Sequence, residues 1–422
     1  MALPTAAIFA PRVVIITAFP PELSRWITTL PLGEELPFPA GLSSGQPPLR
    51  ANRSLGVLGF TSGMRPSRAA ASLLALGHDT RLDLRESHWL VAGIAGVDPA
   101  WGSIGSVFLP RYLIGLGGSY YIDGEGHVPH GRSGSDDYGP PLPTQQEAIE
   151  RQSLFVLDAD LVAWAHGVAS SAAVLPDTPL LQQARAGYTA SDEAPAREPP
   201  AVRYGDSATG ETFWAGREST QWARDSTRFW SAGRATFGVT QEEDIAYASA
   251  LSALQRDGGR ANASRLVVMR AASDYTYAPA GRALREWFFD DPTHMLAHEA
   301  FDALVTAGLP VVTALVARGG GGGDGGEGGT GGEGGGEGHV RTVVEMVEQQ
   351  PTAATAGETF VLGLLLGVLG TLLSLKGRRL LAAVDGGGAK VSSTTGMRPP
   401  RPGGSDDPSY AVENVETARS PL

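Results

Sequence analysis

The chain has 422 residues, 42% of them hydrophobic, a formal net charge of −12 and no cysteine. That length is ample for a buried core, and the acidic balance opposes binding to a nucleic-acid backbone, so no nucleic-acid partner is expected. The acidic charge favours a neutral or weakly charged small ligand as partner, and the absence of cysteine excludes disulfides, thiolate nucleophiles and cysteine-based metal sites.

Residues 1–11 lack the charged start and long apolar run of a secretory leader, and Val13-Val14-Ile15-Ile16 reads as the first strand. Further strands are predicted over 55–61, 89–92, 105–109, 266–270 and 311–314, with helices over 67–76, 160–175, 242–255 and 294–307. Alternation of the two types predicts an α/β sheet. The Gly-, Pro-, Ser- and Asp-rich stretch 122–144 reads as a loop covering a site or an edge, and 189–200 as a second loop. His294 and His298 stand at i, i+4 spacing, which on one helical face could hold zinc. No HExxH surrounds them, ordinary structural histidines are the alternative, and no metal site is assigned.

These elements make 11–317 one domain. Residues 318–340 follow as a glycine-rich acidic linker that cannot bury apolar area and is expected to be disordered. Region 341–384 contains the uncharged run 360–375 ahead of Lys376-Gly377-Arg378-Arg379, the order expected of a single C-terminal membrane anchor with its basic side cytoplasmic. A soluble amphipathic helix, or a stretch belonging to no domain, are the alternatives, so the chain is expected to be either membrane-associated or soluble. Residues 385–422 are expected to be a disordered tail. One span cannot line a transport pathway.

Two runs carry chemistry. In Val91-Ala92-Gly93-Ile94-Ala95-Gly96-Val97-Asp98-Pro99 a buried strand meets a glycine turn, whose missing Cβ atoms allow close backbone approach to a ligand. Arg265-Leu266-Val267-Val268-Met269-Arg270-Ala271-Ala272-Ser273-Asp274 is an apolar strand ending on a carboxylate, the end at which open α/β sheets bind ligands. With Phe19-Pro20-Pro21-Glu22 after the first strand and Gly105-Ser106-Val107, they resemble the purine nucleoside permease family and, more widely, the nucleoside phosphorylase and nucleosidase superfamily. The resemblance covers about 11–317. It implies an α/β, nucleoside phosphorylase-like three-layer fold with a mixed twisted central sheet flanked by helices, a purine nucleoside as ligand, no metal or organic cofactor, and a homo-oligomer.

Cleavage of an N-glycosidic bond needs help for the leaving purine, stabilisation of an oxocarbenium-like sugar and a nucleophile. The resemblance gives Asp274, beside Ser273, the first role, since burial at a strand end can raise a carboxyl pKa enough to protonate purine N7; a cap on the turn over 275–281 is the alternative. Glu22 stands where the nucleosidases place a water-activating glutamate, and a first-turn acid on the helix dipole would look the same. Glu243 is matched to the group that accepts the ribose 2′ and 3′ hydroxyls, with helix capping as its rival. Gly93, Ile94, Ala95 and Gly96 form the close wall. Phe213 and Trp214 belong to an expected strand lining the base pocket, unless they are ordinary core aromatics.

Glu22 and Val91 occupy the two places where related phosphorylases carry arginine, which favours water over phosphate as acceptor. Arg65 and Arg68, opening the helix after a strand, could supply a substitute anion site. The sequence-level expectation is therefore hydrolysis of a purine nucleoside, with phosphorolysis second. The rival is nucleoside binding without turnover that contributes to transmembrane transport, as the family name implies.

Overall fold

The structure is a computed structural model and describes residues 8–39, 47–117, 119–122, 126–129 and 153–318. All of them lie in the compact unit Met1–Gln350; a second unit, Pro351–Leu422, falls outside the described residues. The expected linker, membrane anchor and tail therefore lie outside the described residues, as does most of the loop 122–144.

In chain order the strands are β1 (Val13–Thr17), β2 (Glu34–Leu36), β3 (Leu49–Asn52), β4 (Val57–Thr61), β5 (His88–Val97), β6 (Val107–Leu109) and β7 (Tyr112–Gly115), then β8 (Ser119–Ile122), β9 (Gly126–Pro129), β10 (Leu154–Val156), β11 (Val202–Tyr204), β12 (Asp206–Thr209), β13 (Phe237–Gln241) and β14 (Leu266–Tyr275). The helices are α1 (Pro20–Thr29), α2 (Pro66–Gly77), α3 (Ala159–Ala172), α4 (Pro179–Ala186), α5 (Arg217–Trp230), α6 (Asp244–Arg256), α7 (Leu284–Asp290) and α8 (Ala297–Arg318).

One mixed sheet runs β10-β7-β12-β13-β5-β1-β4-β3-β2, with β14 branching from β5, β6 pairing β14 and β11 pairing β6. Long strand β5 is the hub, parallel to β1 and β14 and antiparallel to β13. Every residue of β1, β4 and β14 is buried. Such continuous apolar runs form where helices cover both faces of a sheet, and α8 packs on β14 and β5 while α2 packs on α6. The expected α/β architecture, a mixed sheet flanked by helices, is thus what the chain forms. Stretch 122–144 begins in the β8–β9 hairpin, and 189–200 contains a short 3-10 turn, Ser191–Arg197, rather than open loop.

Two expectations change. Residues 311–314, read as a strand from their β-branched valines, lie in the second half of α8, which continues through Pro310. Apolar residues at Ala300, Ala303, Leu304, Ala307, Val311, Val312 and Leu315 keep a three-to-four spacing across that proline, and tertiary burial of the stripe outweighs local propensity. Gly308 seats α8 on Trp26, whose ring edge would lie 2.7 Å from a Cβ at that position. Helix α8 is long and apolar enough to cross a bilayer by length and composition, but here most of it is buried against the sheet. Because α8 starts at Ala297, His294 precedes it and shares no helical face with His298. His294 packs on Trp287 and Phe288, and His298 against Phe301.

Candidate functional site

Arg270 is the one cation in the buried run of β14, and its guanidinium organises the site. Nε and Nη2 donate to Asp244 Oδ1 at 3.0 and 2.6 Å, Nη2 also to Glu243 Oε2 at 3.2 Å, and Nη1 to the Ile94 carbonyl at 3.1 Å. Burial works against its charge, but Asp244 and Glu243 outweigh that and hold the guanidinium protonated. Neither Arg270 nor Asp244 was singled out from sequence. An arginine inside Val267-Val268-Met269-Arg270-Ala271 was the available signal, because a charge in an all-buried strand must find acids.

Glu22 lies in the first turn of α1 and is 1% exposed. Its Oε2 accepts the Ala18 N–H at 2.6 Å, as a first-turn acid can, while Oε1 reaches across to β5 and accepts the Ile94 N–H at 2.8 Å. Burial pushes its carboxyl up to about 7 against the opposing pull of Arg270, and the charge of Glu243 adds to the push. The dipole reading accounts for neither the burial nor the bond to Ile94. Gly93 is required here: a Cβ on it would sit 2.4 Å from Arg270 Nη1 and 3.0 Å from Glu22 Oε1. This glycine makes room for the protein's own charged groups, whereas the sequence suggested room for a ligand.

Glu243 occupies the N-cap position of α6, yet its side chain makes no cap bond. The cap is supplied by Gln241, whose Oε1 accepts the backbone N–H of Asp244 at 2.8 Å while Nε2 donates to Ser207 and Thr209. That arrangement frees the Glu243 carboxyl to point toward Arg270 and to accept the Arg65 N–H at 3.1 Å. Burial again raises its pKa. Three buried carboxyls, Glu22, Glu243 and Asp244, therefore face one guanidinium, and burial with this excess of like charge raises the pKa of Glu22 and of Glu243.

Asp274 owes its position to an irregularity in β14. The register against β5 pairs Arg270 with Gly93 and Ala272 with Ala95, then skips Ser273 and sets Asp274 against Gly96. Ser273 Oγ donates to Asp274 Oδ1 at 2.7 Å and lies 3.3 Å from the Ala95 carbonyl. A Cβ on Gly96 would fall 3.0 Å from Asp274 Oδ2. Burial pushes this carboxyl up to about 7, with only the Ser273 hydroxyl opposing it. No side-chain cap on the following turn is seen among the described residues.

Glu22 and Glu243 thus converge on Arg270, while Asp274 lies further along the same strand pair. Three residues of β5, about 10 Å of extended chain, separate the partners of Arg270 and Asp274. Among the described residues no hydrogen bond or ion pair joins Asp274 to the other two acids. Phe213 and Trp214 lie in the loop between β12 and α5 rather than in a strand, and they diverge. Phe213 is half exposed, with its ring against Phe288 of α7, whereas Trp214 packs on Trp222 and Phe237. Arg65 and Arg68 are exposed, and Arg65 holds a left-handed φ of 77° as its N–H turns toward Glu243.

The family model for purine nucleoside permease (NUP) matches residues 10–319. A protein of Schizosaccharomyces pombe named a probable purine nucleoside permease is 28% identical over 327 residues, covering 74% of this chain and 90% of the relative. A purine nucleoside permease of Candida albicans is 26% identical over 321 residues, 74% of this chain and 76% of its own length. Among solved structures, the 5′-methylthioadenosine/S-adenosylhomocysteine nucleosidase of Neisseria meningitidis in complex with methylthio-immucillin-A superposes with a TM-score of 0.45 at 15% identity, covering 73% of this chain and all of the other. On the match across residues 10–319, the chain belongs to the purine nucleoside permease family.

Proposed function

We propose that the chain binds a purine nucleoside along the C-terminal ends of β5 and β14 and cleaves its N-glycosidic bond with water. The observation that carries this is Glu22: a fully buried carboxyl, oriented by two backbone N–H groups beside Arg270 and held near 7, has the protonation balance of a general base at neutral pH. A water beside Glu22 would give it a proton while attacking the anomeric carbon. Asp274, also near 7, would donate its proton to N7 of the departing purine, and Glu243 would accept hydrogen bonds from the sugar hydroxyls. The partners of Arg270 and Asp274 on β5 stand three residues, about 10 Å, apart along the strand, a spacing that lets the sugar and the base be handled by different groups.

Water is favoured over phosphate because Arg270 is already committed to Asp244, Glu243 and the Ile94 carbonyl. An entering phosphate would meet buried carboxyls of its own sign. The test is incubation of the purified full chain with inosine or adenosine, with and without phosphate, followed by chromatography for free base. Hydrolysis predicts free base in phosphate-free buffer; release that depends on phosphate would make the chain a phosphorylase. The names of the related yeast proteins favour a second reading, nucleoside binding that serves uptake. Saturable binding with no base released in either buffer would support it.

A further inference from the structure

Beyond the end of β5 the chain turns through Asp98-Pro99-Ala100-Trp101, and this turn forms one wall of a cavity of about 320 Å³. The last turns of α5, with Arg224 and Arg228, form the second wall, and the approach to β13 at Thr236 and Phe237 forms the third. None of Glu22, Glu243 or Asp274 lines it.

Its charge is unbalanced. Arg224 grips Asp98 through two bonds of 2.7 Å, and Asp98 also accepts the Ala100 N–H at 3.0 Å, so the charge of this acid is already paired. Arg228 is exposed, and its guanidinium makes no ion pair or hydrogen bond among the described residues. Two guanidiniums face one carboxylate, leaving one positive charge. Backbone donors of the turn after α5 are already used: the Gly233 N–H goes to the Arg228 carbonyl, Ala235 to Ser231 Oγ and Thr236 to Asp206 Oδ2. An anion in this cavity would therefore be held by arginine side chains.

Trp101 supplies an apolar wall that is fixed in advance. Its indole N–H donates to the Tyr204 carbonyl at 2.8 Å, and the ring lies tight against two glycines. A Cβ on Gly205 would be 2.9 Å from Trp101 Nε1, and one on Gly238 would be 3.0 Å from its Cδ1. Yet 38% of the residue remains exposed. A large ring held rigidly on one side and open on the other is a surface for stacking a flat ligand at little entropic cost.

We propose that this cavity is a second small-molecule site, separate from the carboxylate cluster, for a planar aromatic ring carrying a carboxylate or phosphate. The ring stacks on Trp101 and the anionic group pairs with Arg228. This holds whether or not the carboxylate cluster cleaves nucleosides.

The probe is 2-naphthoate, a planar aromatic carboxylate without a sugar, titrated into the purified full chain by calorimetry and followed by saturation-transfer NMR. Binding is expected at one site, at least tenfold weaker for Arg228→Ala, and weaker by a similar factor for neutral 2-naphthamide, as loss of a charge-assisted pair requires. Arg228 is on the surface, so the variant should fold; circular dichroism checks this, and Trp101→Phe provides a second, independent weakening. Glu22→Gln and Asp274→Asn should leave the affinity unchanged. The proposal is overturned by absence of binding at millimolar probe, by equal affinity in Arg228→Ala, or by displacement of the probe by a purine nucleoside.

Discussion

Replacing Asp274 by asparagine separates burial of a charge from burial of a shape. In the folded chain the Asp274 carboxyl is raised from 3.8 to about 7 because it is buried with only the Ser273 hydroxyl to stabilise its charge. A folded pKa above the unfolded one means that the native state holds the proton more tightly. The stability this contributes is complete below about pH 4 and is lost as pH rises through 7. A shift of about three units at 1.36 kcal/mol per unit makes the ionised carboxylate unfavourable by about 4 kcal/mol at pH 8. Asparagine escapes that penalty and can still accept from Ser273. Its amide N–H, facing Gly96, goes unpaired and costs about 1–3 kcal/mol. The variant should therefore be more stable than wild type by about 2 kcal/mol at pH 8, with the difference gone or reversed at pH 5. Guanidinium unfolding followed by tryptophan fluorescence at the two pH values measures it. An Asp274→Asn chain no more stable than wild type at pH 8 would refute the claim that this carboxyl is destabilised by burial.

Glu22→Gln should lower base release by about 10²–10⁴-fold while nucleoside affinity, measured by calorimetry, changes little; an unaltered rate would remove Glu22 from the chemistry. Arg270→Met leaves three buried carboxyls without their cation and should cost about 3–5 kcal/mol, more at pH 8 than at pH 5 because protonation relieves the stranded acids. Denaturation at both pH values reads this, and a loss independent of pH would contradict it. Gly93→Ala places a methyl 2.4 Å from Arg270 Nη1 and should lower the melting temperature, whereas alanine at Gly117, where no atom lies within 4 Å of the added Cβ, should not.

Much of this architecture is readable from the chain because its strands are written in continuous apolar runs. Val13-Val14-Ile15-Ile16 and Leu266-Val267-Val268-Met269 could hardly be anything but buried strands, and the acid that closes the second run is itself buried near the end of its strand. What was missed lies in pairings across the fold. Nothing adjacent to Arg270 says that Asp244 and Glu243 are its partners, because the acids arrive from the start of α6, more than twenty residues upstream. The bulge at Ser273 is likewise invisible locally: period-two reading places Arg270 and Asp274 on one face, and only the pairing with β5 shows the slipped register. Phe213 and Trp214 are adjacent aromatics that a strand reading puts on opposite faces of one pocket wall. The loop they occupy sends one to Phe288 and the other to Phe237. The valines at 311 and 312 misled because propensity was weighed without the partner surface, which is the sheet under α8.

The most direct measurement is a crystal structure of the chain with a purine C-nucleoside, whose carbon–carbon glycosidic bond cannot be cleaved. It should show the nitrogen at the purine 7 position within about 2.6–3.2 Å of the Asp274 carboxyl, the sugar hydroxyls on Glu243, and a water against Glu22. A nucleoside seated away from β5 and β14, or one whose base never reaches Asp274, would contradict it.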